Sequence, residues 1–434
     1  MHDSSECRSI ETERPLRILF HIDDFGRGGT ETALIAWLSA LDRRLFSPTL
    51  AVTFPTDDFE YWRAHSIPPD VPVHILASSS WMHALHRAQR ERKLRIGEKL
   101  LYRVSTHLAI RRIVARRFLR LARDHDVVCD FDFTFRRIAG LGGVPWFGVS
   151  HYSFSARWGH KTKSYVSRRL AQLARYTGIG VLTPAMRREA DSLFAGYPVK
   201  VVDLPNVIDI DELKRRAAAH TPLPSSPFIV SVARLDERQK DHRTLLKAYA
   251  ALRTRCRAVG DLVLLGDGPD RAALERFAVE LGIERSVRFV GFCSNPFPYI
   301  QAAQVLVLSS RYEGFGMVLS EAMALGTPVL STDCPTGPSD LLDGGKAGLL
   351  VAVGDADGMA DALQVLLTDH VLREAITRRA AVKVETFSPN NANKRMLALV
   401  QGMIGGSVDP IVAPASASAA SVESAEHVAT TEPG

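Results

Sequence analysis

The chain is poor in cysteine and has no long apolar run. Its five cysteines among 434 residues are scattered, without any CxxC spacing, so neither a disulfide framework nor a zinc site is indicated, and a reducing cytosol fits best. No stretch reaches the ~18 apolar residues of a membrane-spanning helix. The polar N-terminus, MHDSSECRSIETERPLR, lacks the apolar core of a signal peptide. We therefore expect a cytoplasmic protein that does not cross a membrane.

Several catalytic signatures are also absent from the sequence. There is no GxSxG, HExxH or P-loop pattern. The glycine loop after the first predicted strand, DDFGRGGTE, is not GxGxxG, and no strand-end acid follows about 20 residues on, which disfavours an NAD site. The acids Asp23, Asp24, Asp130 and Asp132 lie near predicted strand ends but lack convincing metal-ligand spacing. We predict no metal site.

Positive charge is concentrated in one part of the chain. The net charge is +6, yet residues 81–123 contain thirteen Arg or Lys and only two acids, interspersed with apolar residues. This pattern is typical of basic amphipathic helices on an anionic membrane surface, where each basic residue contributes about 1 kcal/mol. A solvated basic helix face and a nucleic-acid partner are the alternatives. No aromatic interleaving or recognition motif supports nucleic acid.

Short apolar runs alternate with helical patterns in both halves of the chain, which predicts two doubly wound α/β domains with parallel sheets. The predicted strands are 16–22, 49–53, 71–76, 127–131, 146–149 and 178–182, then 228–232, 262–265, 287–290, 305–308, 327–330 and 348–351. The predicted organisation is an N-terminal domain 16–205, a linker 206–227, a C-terminal domain 228–387, a helix 388–405 crossing back to the first domain, and a disordered tail 406–434. The two domains would face each other across a cleft.

Two glutamates, eight positions apart, surround a predicted helix start in RYEGFGMVLSEAMALGTPVL. Glu313 lies on the loop that leaves a buried strand, and Glu321 lies in the first turns of the next helix. Loops at the carboxyl ends of parallel strands line the ligand crevice, and helix N-termini favour anions. Gly314 and Gly316 allow close backbone approach to a ligand. Glu321 could contact a ligand hydroxyl or merely complement the helix dipole.

Three further strand ends of the second domain carry polar or glycine-rich loops. Arg234 and Lys240 follow the first strand in RLDERQK, Gly266 opens the turn GDGP, and Phe292 and Cys293 follow the third. Cations beside helix N-termini can bind a diphosphate and stabilise it as it leaves. Taken singly, each loop is also explained as solvated surface charge or turn chemistry.

The first domain offers two weaker features. Gly28 and Gly29 follow the first strand, where their backbone could meet a phosphate or sugar. His151, in VSHYS, follows another apolar strand and could bond a substrate hydroxyl or relay a proton. A lone histidine at such a position is more often structural.

Together, these motifs resemble the retaining GT-B glycosyltransferases of family 4, also called glycosyl transferases group 1. Their signature glutamates match Glu313 and Glu321, and their Arg-x5-Lys pattern matches Arg234 and Lys240. The segments GDGP, GGTE and LPNVID, the last with Asn206, also match. DCPTGPSDLL, at 333–342, is similar to bacterial members that build lipopolysaccharide, capsule or exopolysaccharide.

The resemblance implies a role for each matching residue. Arg234 and Lys240 would hold the diphosphate of a nucleotide sugar, Glu321 would bind its ribose, and Glu313 and His151 would lie at the donor sugar as the catalytic pair. Glu313 would be a nucleophile or, in a front-face route, would position or support the sugar. The remaining donor-binding residues implied are Gly28, Gly29, Phe315, Gly316, Met317, Gly266, Phe292 and Cys293. No metal and no cofactor beyond the nucleotide-sugar co-substrate are implied.

The implied function is metal-independent, retaining sugar transfer to an acceptor hydroxyl, on a glycolipid or lipid-linked saccharide of bacterial cell-surface polysaccharide synthesis. The enzyme would be cytoplasmic and peripheral on the inner face of the membrane, which residues 81–123 would contact. One alternative is another nucleotide-sugar enzyme of this fold, an epimerase or phosphorylase, although no pyridoxal lysine site is evident. The other is a non-catalytic sugar-binding scaffold, which would be expected to have lost the residues that match the donor site.

Overall fold

The computed structural model describes residues 14–26, 28–79, 82, 86, 97, 110–256 and 259–405, which form two α/β units. The first sheet consists of β1 (Leu16–Asp24), β2 (Phe46–Phe54), β3 (Val73–Ile75), β4 (Val127–Asp130), β5 (Trp146–Ser150), β6 (Gly178–Val181) and β7 (Lys200–Asp203). All neighbours pair in parallel, in the order β3-β2-β1-β4-β5-β6-β7. The strand order reverses between β1 and β4, and such a switch point opens a crevice at the strands' carboxyl ends.

Six helices of the described residues accompany this sheet. They are α1 (Gly29–Ala40), α2 (Asp57–His65), α3 (Arg111–Ala122), α4 (Phe154–Trp158), α5 (Lys163–Leu173) and α6 (Pro184–Leu193). Several begin at the polar caps that helix starts favour: Thr56, Thr162 and Thr183 each accept a hydrogen bond from a backbone N–H in the first turn.

The second sheet contains β8 (Phe228–Val232), β9 (Asp261–Leu265), β10 (Val287–Gly291), β11 (Val305–Leu308), β12 (Val329–Thr332) and β13 (Leu349–Val351). It is also parallel, in the order β10-β9-β8-β11-β12-β13, with its switch point between β8 and β11. The remaining helices are α7 (Ile210–Ala217) in the linker, α8 (Glu237–Lys240), α9 (His242–Arg255), α10 (Arg271–Glu280), α11 (Phe297–Ala302), α12 (Met317–Leu325), α13 (Pro338–Leu341), α14 (Ala356–Thr368), α15 (His370–Glu385) and α16 (Pro389–Ile404).

Alternate residues of the second sheet enter different cores. Ile229 belongs to a cluster formed with α9, α10 and α14. Val230, on the opposite face of the same strand, belongs to a cluster that continues into the N-terminal domain. The two domains therefore share apolar packing in addition to the polar contacts described below.

The last helix, α16, lies against the N-terminal domain. The Asn393 side chain accepts a hydrogen bond from Asp42 N at 2.9 Å and donates one to Ala40 O at 2.8 Å. Met403 packs under β6 so closely that a Cβ on Gly178 would lie 2.5 Å from the Met403 methyl carbon. The described part of the chain thus begins and ends in the N-terminal domain.

The predicted architecture of two parallel α/β domains is confirmed, with local corrections. The apolar pattern of the sequence predicts a helix from about Thr32 to Leu41, but α1 begins at Gly29, because Gly28 adopts the extended conformation of an N-cap. Strand β12 begins at Val329 rather than at 327, since Pro328 has no N–H to contribute to the ladder. Strand β7 was not predicted, because KVVD is short and its ends are polar and exposed.

Two predictions fall largely outside the described residues. The tail 406–434 is outside them entirely, and of the basic segment 81–123 the structure describes three single positions and residues 110–123. None of the helices that the structure describes is long and apolar enough to span a bilayer.

Candidate functional site

A buried ion pair joins two loops at the carboxyl ends of β8 and β11. Lys240 ends the short helix α8, after which Asp241 turns the chain through a left-handed conformation (φ 46°) into α9. Its Nζ lies 2.6 Å from Oε1 of Glu313, and the two side chains are 17% and 9% exposed. A charge-assisted hydrogen bond away from bulk water is stronger than its surface counterpart. The structure therefore brings together two of the residues predicted to form the site.

Only one of the two Glu313 carboxylate oxygens, Oε1, is hydrogen-bonded to described residues. Ser310, fully buried, donates to the same Oε1 at 2.6 Å, and Thr336 Oγ1 donates to the Glu313 carbonyl at 2.8 Å. Among the described residues, Oε2 accepts no hydrogen bond, so this oxygen remains able to face a ligand. Thr336 has φ 78°, an uncommon conformation for a β-branched residue. Sequence reasoning missed Ser310 and Thr336; the polar pair SS directly after an apolar strand was the available signal for Ser310.

Arg234 lies on the loop after β8 with its side chain 60% exposed and its guanidinium 3.1 Å from Asp236. The GDGP turn supports this loop. A Cβ on Gly266 (φ 146°) would lie 1.9 Å from Ala233 O, and one on Gly268 would lie 2.3 Å from Leu235 O. The glycines are therefore required by the contact between two strand-end loops, which goes beyond ordinary turn chemistry.

The start of α12 offers a ligand its backbone N–H groups, because the side chains at this point pack against the protein. Gly316 occupies the N-cap position with φ 82° and ψ 54°. Phe315 is 3% exposed and packs edge-on against Phe387 at 5.2 Å, so its side chain belongs to the core. Met317 is half-buried. The backbone N–H groups of this helix start are the groups suited to an anion.

Glu321 is a buried carboxylate with an incompletely compensated charge. Burial raises its pKa to about 7, and the charge of Arg216 offsets part of this rise. No described residue gives its carboxylate a hydrogen bond or a close ion pair. The Arg216 guanidinium lies over the Phe297 ring, 4.5 Å from its centre, and donates to Ser294 O at 3.2 Å. A carboxylate that only complemented the helix dipole could remain solvated, so burial favours the interpretation that Glu321 binds a ligand hydroxyl.

The loop after β10 borders the same end of the sheet. Gly291 has φ 89°, and its carbonyl accepts a hydrogen bond from Gly266 N at 2.8 Å. Phe292 follows with 44% of its surface exposed, and Cys293 is half-buried. The strand ends that carry GDGP and Phe292 are thus directly connected.

The N-terminal domain touches this site at His151. A Cβ on Gly314 would lie 1.8 Å from the His151 carbonyl oxygen, so only glycine permits the observed approach. The buried imidazole donates from Nε2 to Phe131 O at 2.8 Å, and burial lowers the pKa of His151 to about 4. The ring is therefore neutral near pH 7, with Nδ1 left as an acceptor. This state suits a hydrogen bond from a substrate hydroxyl better than uptake of a proton.

Gly28 and Gly29 lie at the start of α1, beyond the carboxyl end of β1. The Glu31 side chain folds back over this loop: its Oε1 accepts from Gly26 N at 2.9 Å, and its Oε2 would be 2.8 Å from a Cβ on Gly28. Nothing lies within 4 Å of a Cβ built on Gly29. Gly29 therefore has space beside it for the predicted phosphate contact, whereas the Glu31 carboxylate lies next to Gly28.

A second polar group, which sequence reasoning did not single out as a unit, lies inside the first domain. His21, Asp130 and Asp132 have potential ligand atoms within 4.8 Å of one another. Both His21 nitrogens are already hydrogen-bonded, Nδ1 to Asp130 at 3.0 Å and Nε2 to Thr53 at 2.9 Å. Asp130 also accepts from Tyr176. The group is a satisfied structural network that joins β1, β2 and β4.

Comparison with known proteins agrees with this geometry. Residues 226–369 match the family described as Glycosyl transferases group 1. The matched residues lie in the linker and the C-terminal domain. The chain is 34% identical over 194 residues to N-acetylgalactosamine-N,N'-diacetylbacillosaminyl-diphospho-undecaprenol 4-alpha-N-acetylgalactosaminyltransferase of Campylobacter jejuni, a match that covers 45% of this chain and 52% of that protein. It is 38% identical over 164 residues to the lipopolysaccharide core biosynthesis glycosyltransferase LpsE of Rhizobium meliloti, covering 38% and 46%.

The chain thus spans about half the length of the curated relatives it matches. Comparison of folds extends the similarity to most of the chain. A crystal structure of Anabaena HepE in complex with UDP superposes with a TM-score of 0.68 at 18% identity, covering 89% of this chain and 100% of that one. The predicted GT-B fold is confirmed.

Proposed function

We propose that this protein is a retaining glycosyltransferase that moves a sugar from a nucleoside-diphosphate sugar to an acceptor hydroxyl. The observation that carries the proposal is the Lys240–Glu313 pair. It lies at the carboxyl ends of the two strands flanking the switch point of the second sheet, in contact with the loop bearing His151. Lys240, proposed to bind the diphosphate, therefore lies next to Glu313, proposed to contact the sugar.

The donor site follows from the charges around this pair. Arg234 and Lys240 supply two cations for a diphosphate, and the α12 backbone supplies N–H donors. The Glu321 carboxylate would accept hydrogen bonds from the ribose hydroxyls, with Phe292 and Cys293 beside the base. In this arrangement Arg234 and Lys240 supply the charge that a divalent cation supplies in other sugar transferases. Because HepE was crystallised with UDP, a uridine nucleotide is the first donor to test.

The proposed reaction occurs on one face of the sugar. The bond from the anomeric carbon to the diphosphate breaks, the leaving phosphate oxygen takes the proton of the acceptor hydroxyl, and the acceptor oxygen bonds to the same face. Glu313 directs Oε2 at the sugar and supports developing positive charge there, while Lys240 and Ser310 hold Oε1. Nδ1 of His151 accepts a hydrogen bond from a hydroxyl group of the donor sugar.

The acceptor is proposed to be a glycolipid or lipid-linked saccharide of bacterial cell-surface polysaccharide synthesis. The names of the two relatives support this class, since one specifies a diphospho-undecaprenol acceptor and the other lipopolysaccharide core synthesis. Such acceptors would place the protein on the inner face of the cytoplasmic membrane.

Helix α3 defines how the described part of the basic segment would contact a membrane. Its apolar side packs against the core of the N-terminal domain. Val114 and Phe118 are buried, and the centres of the Phe118 and His21 rings are 5.3 Å apart. Arg117 donates to Leu76 O at 2.6 Å. The outward side carries Arg111, Arg112, Arg116 and Arg120, all exposed. Contact through α3 would therefore be electrostatic, without insertion of this helix.

Thermal-shift measurements with UDP-, GDP-, ADP- and CMP-sugars test the donor assignment, because a ligand that binds the folded state raises the melting temperature. We expect a shift with one nucleotide class, unchanged by EDTA, and lost in Arg234→Ala. Arg276→Ala, which removes an exposed arginine from α10, is the matched control. The absence of a shift with every nucleotide sugar would contradict the donor site, and loss of the shift in EDTA would contradict metal independence.

Flotation with phosphatidylglycerol vesicles tests the membrane assignment. We expect the wild-type protein to float with the vesicles at low salt. Raising the salt concentration should release it from the vesicles, because salt screens the electrostatic contact. A variant with Arg111, Arg112, Arg116 and Arg120 replaced by alanine should float less. Equal flotation of this variant would remove α3 from the membrane contact while leaving the transferase proposal intact.

A further inference from the structure

The N-terminal domain contains a long segment without any acidic residue. Residues 133–188 include ten Arg or Lys and no Asp or Glu, whereas the whole chain has nearly balanced charge. The segment runs through β5, α4, α5 and β6, and its middle follows directly on His151. Of these cations, Arg157 and Lys161 are the first two that follow His151 in the sequence.

Two exposed cations near α4, Arg157 and Lys161, have no acidic partner among the described residues. Helix α4 is anchored by its buried side chains Phe154 and Trp158, and Arg157, between them and exposed, projects away from the core. Within the described part of the chain, no carboxylate lies at ion-pair distance from Arg157 or Lys161. The first acid after this segment, Glu189, is used elsewhere, since it accepts from Ser153 Oγ, Phe154 N and Ser155 N at 3.0, 3.0 and 2.6 Å.

An aromatic ring fixes the position of Arg157. Its guanidinium carbon lies 5.5 Å from the centre of the Tyr152 ring, a cation–π contact. The Tyr152 backbone is itself held, because its carbonyl accepts from Ser150 Oγ at 2.8 Å. The Tyr152 side chain remains 41% exposed. Arg157 is thus oriented without being covered.

These groups lie beside the place where the two domains meet. Tyr152 directly follows His151, whose carbonyl contacts Gly314. Burial raises the pKa of Tyr312, and the Tyr152 phenol adds to the rise from across the interface. Burial lowers the pKa of His151, and the Arg157 charge contributes. Arg157 is therefore near both His151 and the loop that carries Glu313.

We propose that Arg157 and Lys161, with Tyr152 as the support of Arg157, form an anion subsite that binds a phosphate group of the acceptor. The subsite rests on the proposed function, which it deepens by giving the acceptor's class: a saccharide bearing a phosphate close to the sugar that receives the new linkage. The planar guanidinium binds two phosphate oxygens at once, and the ammonium adds a point charge. The phosphate supplies the negative charge that the segment lacks.

Calorimetric titration of the UDP-saturated protein tests the subsite. The probes are α-D-glucose 1-phosphate and N-acetyl-α-D-glucosamine 1-phosphate, with methyl α-D-glucopyranoside as the uncharged counterpart. We expect the sugar phosphates to bind more tightly than the glycoside. Arg157→Ala and Lys161→Ala should each weaken them at least fivefold and leave UDP affinity within twofold. Arg157→Lys should retain part of the affinity, whereas Arg276→Ala and Lys247→Ala, exposed cations of the C-terminal domain, should match the wild type.

Several outcomes would overturn the subsite. Equal sugar-phosphate affinity in Arg157→Ala, or no binding of either sugar phosphate to the wild type at millimolar concentration, would do so. Flotation with phosphatidylglycerol vesicles separates the acceptor's phosphate from a lipid headgroup: if Arg157→Ala lowers flotation but leaves sugar-phosphate affinity unchanged, the cations serve the bilayer surface. Failure of UDP itself to bind would instead contradict the donor site.

Discussion

Lys240 donates a 2.6 Å hydrogen bond to Glu313, so the cation proposed for the diphosphate is also the partner of the carboxylate proposed for the sugar. The two halves of the proposed donor site are therefore expected to be energetically coupled. A diphosphate that attracts Lys240 changes the surroundings of Glu313, and Ser310 keeps Oε1 in place while this happens.

Removing one member of the pair should cost more stability than removing both charges. Lys240→Ala leaves Glu313 buried without its cation, and we expect the free energy of unfolding to fall by about 3 kcal/mol. Lys240→Ala combined with Glu313→Gln should recover a substantial part of this loss. Urea denaturation of the two single variants and the double variant measures the coupling. Transfer activity should be lost in all three, and additive stability effects would show that the pair is not coupled.

Ser310 should act by positioning Glu313. Ser310→Ala removes a hydrogen bond to a charged group, which contributes about 1.5–3 kcal/mol. We expect kcat to fall roughly tenfold or more while KM for the donor stays within twofold, since Ser310 is buried behind the carboxylate. Ser310→Thr keeps the hydroxyl and should restore part of kcat. A change in donor KM without a change in kcat would assign Ser310 to ground-state binding.

Nucleotide affinity should rise with pH near neutrality because of Glu321. Its pKa of about 7 leaves much of the carboxylate protonated at pH 6, and the ionised form is the better acceptor for ribose hydroxyls. The Kd for UDP should therefore decrease severalfold between pH 6 and pH 8. In Glu321→Gln the affinity should be weaker and nearly independent of pH. An equally steep profile in this variant would assign the titration to another group.

The same group affects folding in the opposite sense. Between its unfolded pKa near 4.5 and its folded pKa of about 7, the folded protein holds a proton that the unfolded chain has released. The free energy of unfolding should therefore fall as pH rises through this window, by an amount of order 3 kcal/mol. Urea denaturation of wild type and Glu321→Gln at pH 5 and pH 7.5 isolates this contribution.

Gly314 should control how closely the domains approach. Gly314→Ala places a methyl group 1.8 Å from His151 O, so the two loops must separate. We expect at least a hundredfold loss of transfer activity with the melting temperature only slightly lowered. Gly402→Ala is the matched control, because nothing lies within 4 Å of its added Cβ and alanine is favoured inside a helix. Full activity in Gly314→Ala would mean that the reaction does not need this contact.

The sequence predicted the strands best where buried apolar runs meet sharp polar loops. Strands β8 and β11 have their predicted bounds, and α12 (Met317–Leu325) has the bounds that the helical pattern before Gly326 predicts. The loops after these strands converge because parallel strands share one carboxyl edge. The placement of Glu313 beside Lys240 thus follows from topology together with the strand ends.

Contacts that depend on side-chain packing could not be read from the sequence. Ser310 resembles any serine that ends a strand until its hydroxyl is found on Glu313 Oε1. The approach of Gly314 to His151 joins positions 163 residues apart in two domains, and no local pattern encodes it. The roles of the site residues remain predictions, for which the measurements above are the test.

Helix α16 has a practical consequence for dissecting the molecule. Asn393 is hydrogen-bonded to the end of α1, and Met403 fills the space under Gly178, so α16 completes the apolar surface of the first domain. Residues 14–205 expressed alone would expose that surface to water and should aggregate. Adding a synthetic peptide of residues 388–405 should restore solubility, which makes the start of this helix a natural point for splitting the protein into two complementing fragments.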